Sequence, residues 1–242
     1  MFKFIGCGAA LYPKLYNSNA YFRLQDDLFL IDCGETAFRR HYIYGNFEGV
    51  KSVTVFITHM HTDHIGSLGT LIVYVYLKLG IRTTVIYKEP EKLKTVFDFT
   101  GVEPEHYCLY ENYSVMNDPR IKEEVIQVRH HDKMVNSYGY LFDIEGKKLY
   151  YSGDAAEIPD CIVEKIKNGE LDQVYQDTAV HAHGNCHLTL EELEKKIETQ
   201  YRRKVFCMHY DSECFEQIRE KGFQTIETKV VGYHQDGGDP NV

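Results

Sequence analysis

The sequence contains no long apolar run, and no stretch reaches the roughly 18 residues that a membrane-spanning helix needs. Its first residues, MFKFIG, lack the apolar core and the small-residue cleavage site of a secretory signal. Both absences argue against a membrane or signal-directed protein. We therefore expect a cytoplasmic protein with no membrane partner.

The seven cysteines lack any regular pattern, because they are odd in number, scattered and without a CxxC pair. Such a set does not predict a disulfide framework or a structural zinc site. We expect reduced thiols with no metal role. Cys186 lies beside His187 and is the thiol that could lie near a pocket.

Positive charge is also scarce, since the formal net charge is -9 at pH 7. Binding to a phosphate backbone needs clustered Lys and Arg, so a general nucleic-acid-binding face is not expected. The balance of 43% hydrophobic and 26% charged residues is typical of a globular protein. For 242 residues we predict one domain over residues 1–234 and a mobile polar tail over residues 235–242.

The segment THMHTDHIG, residues 58–66, follows the apolar run VTVFI. His59 and His61 point the same way on extended backbone, because side chains alternate with period two, so one metal ion can take both. Asp63 and His64 follow on the turn into a helix and can bind a second ion. A surface loop with four polar side chains is the alternative, but three imidazoles and a carboxylate in this short stretch favour a metal site.

Other apolar segments also end in metal-type residues. In the predicted strand VIQVRHH, residues 125–131, His130 shares the apolar face with Val128, whereas His131 shares the polar face. We favour His130 as a ligand, and His131 stays the alternative. Two later predicted strands end in further candidates, Asp154 and His209.

His187 is placed by the residues that follow it. Thr189 and Glu192 form a capping box, which starts a helix and holds His187 at its entrance.

Along the chain, apolar strands alternate with helical patterns, which predicts a layered α/β arrangement. Residues 99–120 show no period, and we interpret them as a loop or lid over the site, or a dimer contact.

The pattern His-x-His-x-Asp-His after a strand resembles the signature of the metallo-β-lactamase superfamily. The resemblance implies an α/β fold of four layers, the αββα sandwich. It implies two metal ions bridged by Asp154, with two further ligand sets: His59, His61 and His130, and Asp63, His64 and His209. It also implies that Asp32 supports the metal loop by orienting a ligand histidine, with a helix cap as the alternative.

Nitrogen and carboxylate ligands with open positions favour two zinc ions, with manganese or iron as alternatives. Two such ions, about 3.5–4 Å apart, convert a bridging water to hydroxide near neutral pH. Asp63 would bind metal and accept a hydrogen bond from this nucleophile. His187 would protonate the leaving alkoxide; the alternative is a histidine packed behind the site.

Four further motifs resemble the RNase Z branch, the tRNA 3′-processing endonucleases: FIGCG at 4–8, LIDCGE at 30–35, YSGD at 151–154 and HLT at 187–189. The similarity spans residues 2–232. In that branch a histidine at the His187 position partners the motif aspartate in acid catalysis. RNase Z enzymes carry a tRNA-gripping arm between the third ligand histidine and the bridging aspartate. Between His130 and Asp154 this chain has only one predicted hairpin.

A core without that arm is similar to compact cyclic-nucleotide phosphodiesterases, including the phage anti-Pycsar enzymes, which destroy cyclic pyrimidine signals and form homodimers. The resemblance implies hydrolysis of a 3′,5′-cyclic nucleotide, such as cCMP or cUMP, to the mononucleotide. It implies a homodimer with a small phosphodiester substrate, in the host cytoplasm if the chain is phage-encoded. RNase Z-like tRNA processing and hydrolysis of another ester or lactone are the alternatives, with a large RNA substrate disfavoured.

Overall fold

A computed structural model of the chain describes residues 1–130, 135–181, 186–226 and 228. The amino-terminal half forms a six-stranded sheet whose first three strands are antiparallel and whose remaining pairs are parallel. Its strands lie side by side in chain order: β1 (Lys3–Gly6), β2 (Asn19–Leu24), β3 (Asp27–Ile31), β4 (Ser52–Phe56), β5 (Thr83–Ile86) and β6 (Tyr107–Tyr110).

The carboxyl-terminal half forms a second six-stranded sheet. Its first three strands are antiparallel and the later ones pair in parallel. These strands also lie side by side in chain order: β7 (Ile121–Val128), β8 (Ser137–Ile144), β9 (Lys147–Tyr151), β10 (Gln173–Asp177), β11 (Val205–Met208) and β12 (Gln224–Thr225).

Seven α-helices connect these strands within the described residues. Gly80 and Gly101 end the two longest helices with positive φ angles of 69° and 74°, the left-handed cap that glycine adopts without steric cost. The helices are α1 (Ala37–Ile43), α2 (Thr62–Ile65), α3 (Leu68–Leu79), α4 (Pro90–Thr100), α5 (Asp160–Lys167), α6 (Leu190–Lys196) and α7 (Phe215–Glu220).

The two faces of each sheet bury different partners. On β3, Phe29 and Ile31 belong to the core between the two sheets, which also contains Phe142 of β8. Leu28 and Leu30 alternate with them and pack in the cluster that includes α1 and α3. Because side chains alternate with period two, each sheet contacts the other sheet on one face and helices on the other. This is the αββα sandwich, and the predicted fold class is confirmed.

The carboxyl ends of several strands carry the polar residues singled out by the sequence. Asp32 follows β3, and the metal-type segment 58–66 follows β4. Asp154 follows β9 and His209 follows β11. In α/β sheets, ligands typically bind beyond these carboxyl ends, so the topology directs all four groups toward one region.

The interpretation of residues 99–120 as a loop is wrong, whereas the alternative, a dimer contact, stays a prediction. Residues 99–120 contain β6, which pairs in parallel with β5 at the edge of the first sheet, and two 3-10 helices. A four-residue edge strand is too short to show a period, which explains why the pattern was missed. Residues 235–242, the expected tail, lie outside the described residues, and the single domain over residues 1–234 stays a prediction.

Candidate metal centre

The segment after β4 enters the site through a tight set of buried contacts. His59 and His64 are both buried, and α2 holds Asp63 and His64 in a single helical turn. The Asp32 carboxylate accepts hydrogen bonds from the Thr58 backbone N–H at 2.8 Å and from His64 Nδ1 at 2.8 Å. Bonding at Nδ1 leaves Nε2 of His64 as the nitrogen that faces the site.

Gly34 makes close passage of the metal loop possible. A Cβ at this position would lie 1.8 Å from the Asp63 carbonyl oxygen and 2.4 Å from its carbonyl carbon. Only a residue without a side chain fits at such a separation. Gly34 therefore allows the segment after β3 to pack directly against the backbone of Asp63.

Four ligand-type atoms converge in a first cluster, formed by His59, His61, His130 and Asp154, and all lie within 4.8 Å of one another. Nε2 of His59 is 3.0 Å from Nδ1 of His61 and 3.7 Å from the Asp154 carboxylate. His130 donates from Nδ1 to the Cys186 carbonyl at 3.0 Å, so its Nε2 is left for the site. Imidazole nitrogens that converge beside a carboxylate are a donor set suited to a transition metal ion.

A second cluster contains Asp63, His64, Asp154 and His209, again within 4.8 Å of one another. His64 Nε2 lies 3.2 Å from both Asp63 and Asp154, and His209 Nε2 lies 3.3 and 3.4 Å from the same two carboxylates. All four side chains are buried, and His64 Nε2 has no hydrogen bond within the described structure. Two buried carboxylates need compensating positive charge, so these residues fit a divalent cation.

Asp154 belongs to both clusters. Burial by itself would raise the pKa of its carboxyl group, but the neighbouring His209, His64 and His59 hold the pKa well below the ordinary value. The ionised form is the one that can contact two cations. Gly153, with φ 60°, allows the backbone to turn immediately before this residue.

Backbone strain also marks the centre. Asp32 and His209 have positive φ angles of 65° and 61°, a region that side chains other than glycine rarely adopt. Both residues are buried and both contact other polar groups of the site. Strain of this kind persists where the surrounding structure over-determines a functional position.

The structure brings together all seven residues that the sequence singled out as metal ligands: His59, His61, Asp63, His64, His130, Asp154 and His209. Their role as ligands is a prediction that the arrangement motivates. His131, the alternative to His130, lies outside the described residues. The strand predicted over residues 125–131 ends at Val128 in the structure, so His130 lies in the loop that follows β7.

Asp177, at the end of β10, is a site residue that sequence reasoning missed. Its buried carboxylate lies 2.7 Å from His187 Nδ1 and accepts the Ala155 N–H at 2.9 Å. It also lies 3.5 Å from His209 Nδ1. The available signal was its position, because an aspartate at the end of a buried strand matches the placement of Asp32 and Asp154.

His187 lies at the entrance of α6, where the predicted capping box between Thr189 and Glu192 is present. Its side chain is 21% exposed and its ring stacks on that of His209, with centroids 4.9 Å apart. Burial lowers the pKa of His187, but the Asp177 carboxylate outweighs this effect and the pKa lies above the ordinary value. Because Nδ1 contacts Asp177, Nε2 is the nitrogen that can donate a proton into the site.

A cavity of about 780 Å³ opens onto the two clusters and is lined by both His130 and His187. The segment from Ala9 to Tyr12 also lines this cavity, and so does Cys186, the thiol that the sequence placed near a pocket. Residues 99–120 are not part of this lining. The volume is within the range of about 300–1,000 Å³ that is typical of small-molecule sites.

Comparison with known proteins is consistent with this centre. The family model of the Anti-Pycsar protein Apyc1 matches residues 1–98 and 76–231, which is most of the chain. The chain belongs to this family. An Anti-Pycsar protein Apyc1 from Paenibacillus xerothermodurans is 27% identical over 233 residues, covering 90% of this chain and 90% of the relative.

Solved structures show the same fold as this Anti-Pycsar family member. The metallo-β-lactamase fold protein YhfI from Bacillus subtilis superimposes with a TM-score of 0.71 at 13% identity, covering 93% of this chain and 94% of that one. The short form of human tRNase Z gives a TM-score of 0.66 at 17% identity, covering 94% and 96%. The predicted metallo-β-lactamase fold and the predicted resemblance to anti-Pycsar enzymes are confirmed.

Family membership and the clusters of His and Asp residues together identify the protein as a metal-dependent hydrolase. Among the residues that the structure describes, no helix is both long and apolar enough to cross a membrane.

Proposed function

We propose that this protein hydrolyses a 3′,5′-cyclic nucleotide to the mononucleotide at a centre of two metal ions. The observation that carries the proposal is the pair of clusters that share Asp154 at the floor of one small cavity. Membership of the Anti-Pycsar family supports a cyclic nucleotide, including the cyclic pyrimidines cCMP and cUMP, as the substrate.

The ligand assignment follows the two clusters. His59, His61 and His130 would hold one ion, and Asp63, His64 and His209 would hold the other, with Asp154 between them. Zinc is the first choice for this donor set, and manganese or iron are alternatives. When bound, two such ions supply a water of lowered pKa and offset charge on the phosphoryl oxygens.

The chain's own residues then act on the reacting atoms. Asp63 accepts a hydrogen bond from the attacking water, whose oxygen forms a new bond to phosphorus. One ester P–O bond breaks, and His187 donates the Nε2 proton to the departing ribose oxygen. Asp177 holds His187 through Nδ1, which selects the donor nitrogen and favours the protonated ring. The proton that the attacking water loses passes to solvent, and solvent restores the proton that His187 gave up, so the net reaction consumes one water.

RNase Z-like processing of tRNA is the second candidate, because the fold is shared with human tRNase Z. Between His130 and Asp154 the described residues contain only the hairpin of β8 and β9. No arm comparable to that of RNase Z enzymes fits within this stretch. The acidic net charge of -9 also disfavours a large RNA substrate.

The test is a substrate panel. Purified protein is incubated with cCMP, cUMP, cAMP and cGMP and, separately, with a precursor tRNA, with and without a chelator. We expect chelator-sensitive conversion of at least one cyclic nucleotide to its mononucleotide. Cleavage of the tRNA with no turnover of any cyclic nucleotide would reverse the order of the two candidates.

His187→Ala tests the proposed acid within the same panel. General acid catalysis contributes about 10²–10⁴-fold, so cleavage is expected to fall by this factor while elemental analysis still finds the wild-type metal content. His181→Ala is the matched control, since this exposed histidine lies on the same connection. Loss of metal in His187→Ala would show that His187 is a ligand instead. The homodimer stays a prediction, which light scattering of the same sample checks.

A further inference from the structure

Thr58 occupies the point where the loop after β4 meets both metal clusters. It is fully buried, its N–H donates to the Asp32 carboxylate at 2.8 Å, and its carbonyl accepts the Tyr138 N–H at 3.1 Å. Both backbone groups are therefore fixed by tertiary contacts.

Three polar atoms surround the Thr58 hydroxyl oxygen. It lies 2.8 Å from Asp32 Oδ2, 3.1 Å from His59 Nδ1 and 3.4 Å from His64 Nδ1. A hydroxyl has one proton to donate, and Asp32 Oδ2 is the nearest acceptor, at 2.8 Å. The proton therefore goes to Asp32, and the hydroxyl oxygen accepts a hydrogen bond from the Nδ1–H of His59.

This hydrogen bond decides the tautomer of His59. With the proton on Nδ1, the free lone pair is on Nε2, which is the nitrogen 3.0 Å from His61 and nearest to Asp154. His64 does not need the hydroxyl, because its own Nδ1 contacts Asp32 directly at 2.8 Å. One carboxylate thus reaches His64 directly and His59 only through Thr58.

The two branches of the Thr58 side chain contact different neighbours. A Cβ at Gly153 would lie 3.0 Å from Thr58 Cβ and 3.2 Å from its methyl carbon, so the Thr58 methyl group packs closely against Gly153. A β-branched side chain has few accessible χ1 rotamers. The methyl group is thereby directed at the backbone before Asp154 and the hydroxyl at Asp32 and His59.

We propose that Thr58 is a positioning residue whose hydroxyl extends the Asp32 carboxylate to His59, so that one buried carboxylate orients one histidine in each metal cluster. The inference rests on the proposed ligand assignment. Its particular consequence is asymmetry: loss of the hydroxyl weakens the cluster of His59, His61 and His130, while the cluster that contains His64 keeps its direct contact with Asp32.

The test compares Thr58→Val, which removes the hydroxyl at nearly constant volume, with Thr58→Ser, which retains it. Zinc affinities of both clusters are measured by competition with a chelator of known affinity. We expect Thr58→Val to weaken one of the two zinc-binding steps about 10–100-fold, the range for lost ligand-orienting contacts, with a far smaller change in the other step. Thr58→Ser should restore both steps.

NMR of the imidazole nitrogens supplies a readout that does not depend on activity. The hydrogen-bonded Nδ1–H signal of His59 should be present in wild type and Thr58→Ser and absent or strongly shifted in Thr58→Val. Thr83→Val is the matched control, because this buried hydroxyl has no hydrogen-bond partner in the described structure. It should change neither the affinities nor the spectrum.

The possible outcomes distinguish the ligand assignment from the role of Thr58. Wild-type protein that binds no zinc would refute the ligand assignment itself. Wild-type protein that binds two ions, with Thr58→Val equally tight at both steps or weakened equally at both, would refute only the role of Thr58. If Thr58→Val does not fold, the pair Thr58→Ala and Thr58→Ser decides, since rescue by serine requires the hydroxyl.

Discussion

Asp177→Asn removes one charge from the site with little change of shape. The asparagine amide oxygen can take the place of Oδ2, which lies 2.7 Å from His187 Nδ1 and 2.9 Å from the Ala155 nitrogen. A hydrogen bond to a charged group contributes about 1.5–3 kcal/mol and one between neutral groups about 0.5–1.5 kcal/mol, so the substitution costs about 1–1.5 kcal/mol. At about 1.36 kcal/mol per tenfold change in rate, the expected loss is about 5- to 13-fold in kcat/KM.

The pH profile gives the sharper test. Burial lowers the pKa of His187 and Asp177 raises it above the ordinary value, so removing the charge lets burial dominate. The acid form of His187 is lost as the pH rises through its pKa. The fall of kcat/KM on the alkaline side should therefore move to lower pH in Asp177→Asn. The assay is hydrolysis of the preferred cyclic nucleotide across neutral pH, with metal content determined in parallel.

Asp172→Asn is the matched control, because Asp172 is an exposed aspartate just before β10, at the opposite end of that strand. It should leave both kcat/KM and the profile unchanged. A lower activity for Asp177→Asn with an unmoved profile would refute the electrostatic role. Loss of zinc would instead indicate that Asp177 acts mainly through His209, which lies 3.5 Å away.

Two further predictions concern stability and the metal loop. Burial lowers the pKa of His41 to about 3. Its contribution to the free energy of unfolding is therefore fully present above the ordinary pKa of 6.5 and decreases as the pH falls below that value. Relative to His41→Phe, apo wild-type protein should lose about 2 kcal/mol of unfolding free energy between pH 8 and pH 5 in denaturant titrations, and parallel curves would contradict this. Gly34→Ala places a Cβ 1.8 Å from the Asp63 carbonyl oxygen and should cost about 10²-fold in kcat/KM, with weaker zinc binding, whereas the helical Gly69→Ala should cost little. Wild-type activity and zinc content in Gly34→Ala would show that the loop can relax.

Some parts of the site could be predicted from the sequence because they depend on local geometry. His59, His61, Asp63 and His64 occur within one short segment after a strand, and period-two alternation places the first two together. The capping box that holds His187 is equally local, since it joins residues three positions apart. Patterns of this kind depend on a few neighbouring residues and the backbone between them.

Other parts depended on the packing of the two sheets. The Asp177 contact with His187 and the His130 contact with the Cys186 carbonyl join groups ten and 56 positions apart. No local periodicity encodes either contact. The strand β6 was missed for a related reason, because a short edge strand is defined by its pairing with β5 rather than by its own pattern.

The sequence by itself thus determined the kinds of donor atoms and the strand ends that carry them. Only the tertiary structure decided which nitrogen of each histidine faces the site and which aspartate orients it. The physical reason is that the sequence gives the type of each residue but not its neighbours in space. Asp32 and Thr58 become hydrogen-bond partners only when β3 and β4 pair in the folded sheet.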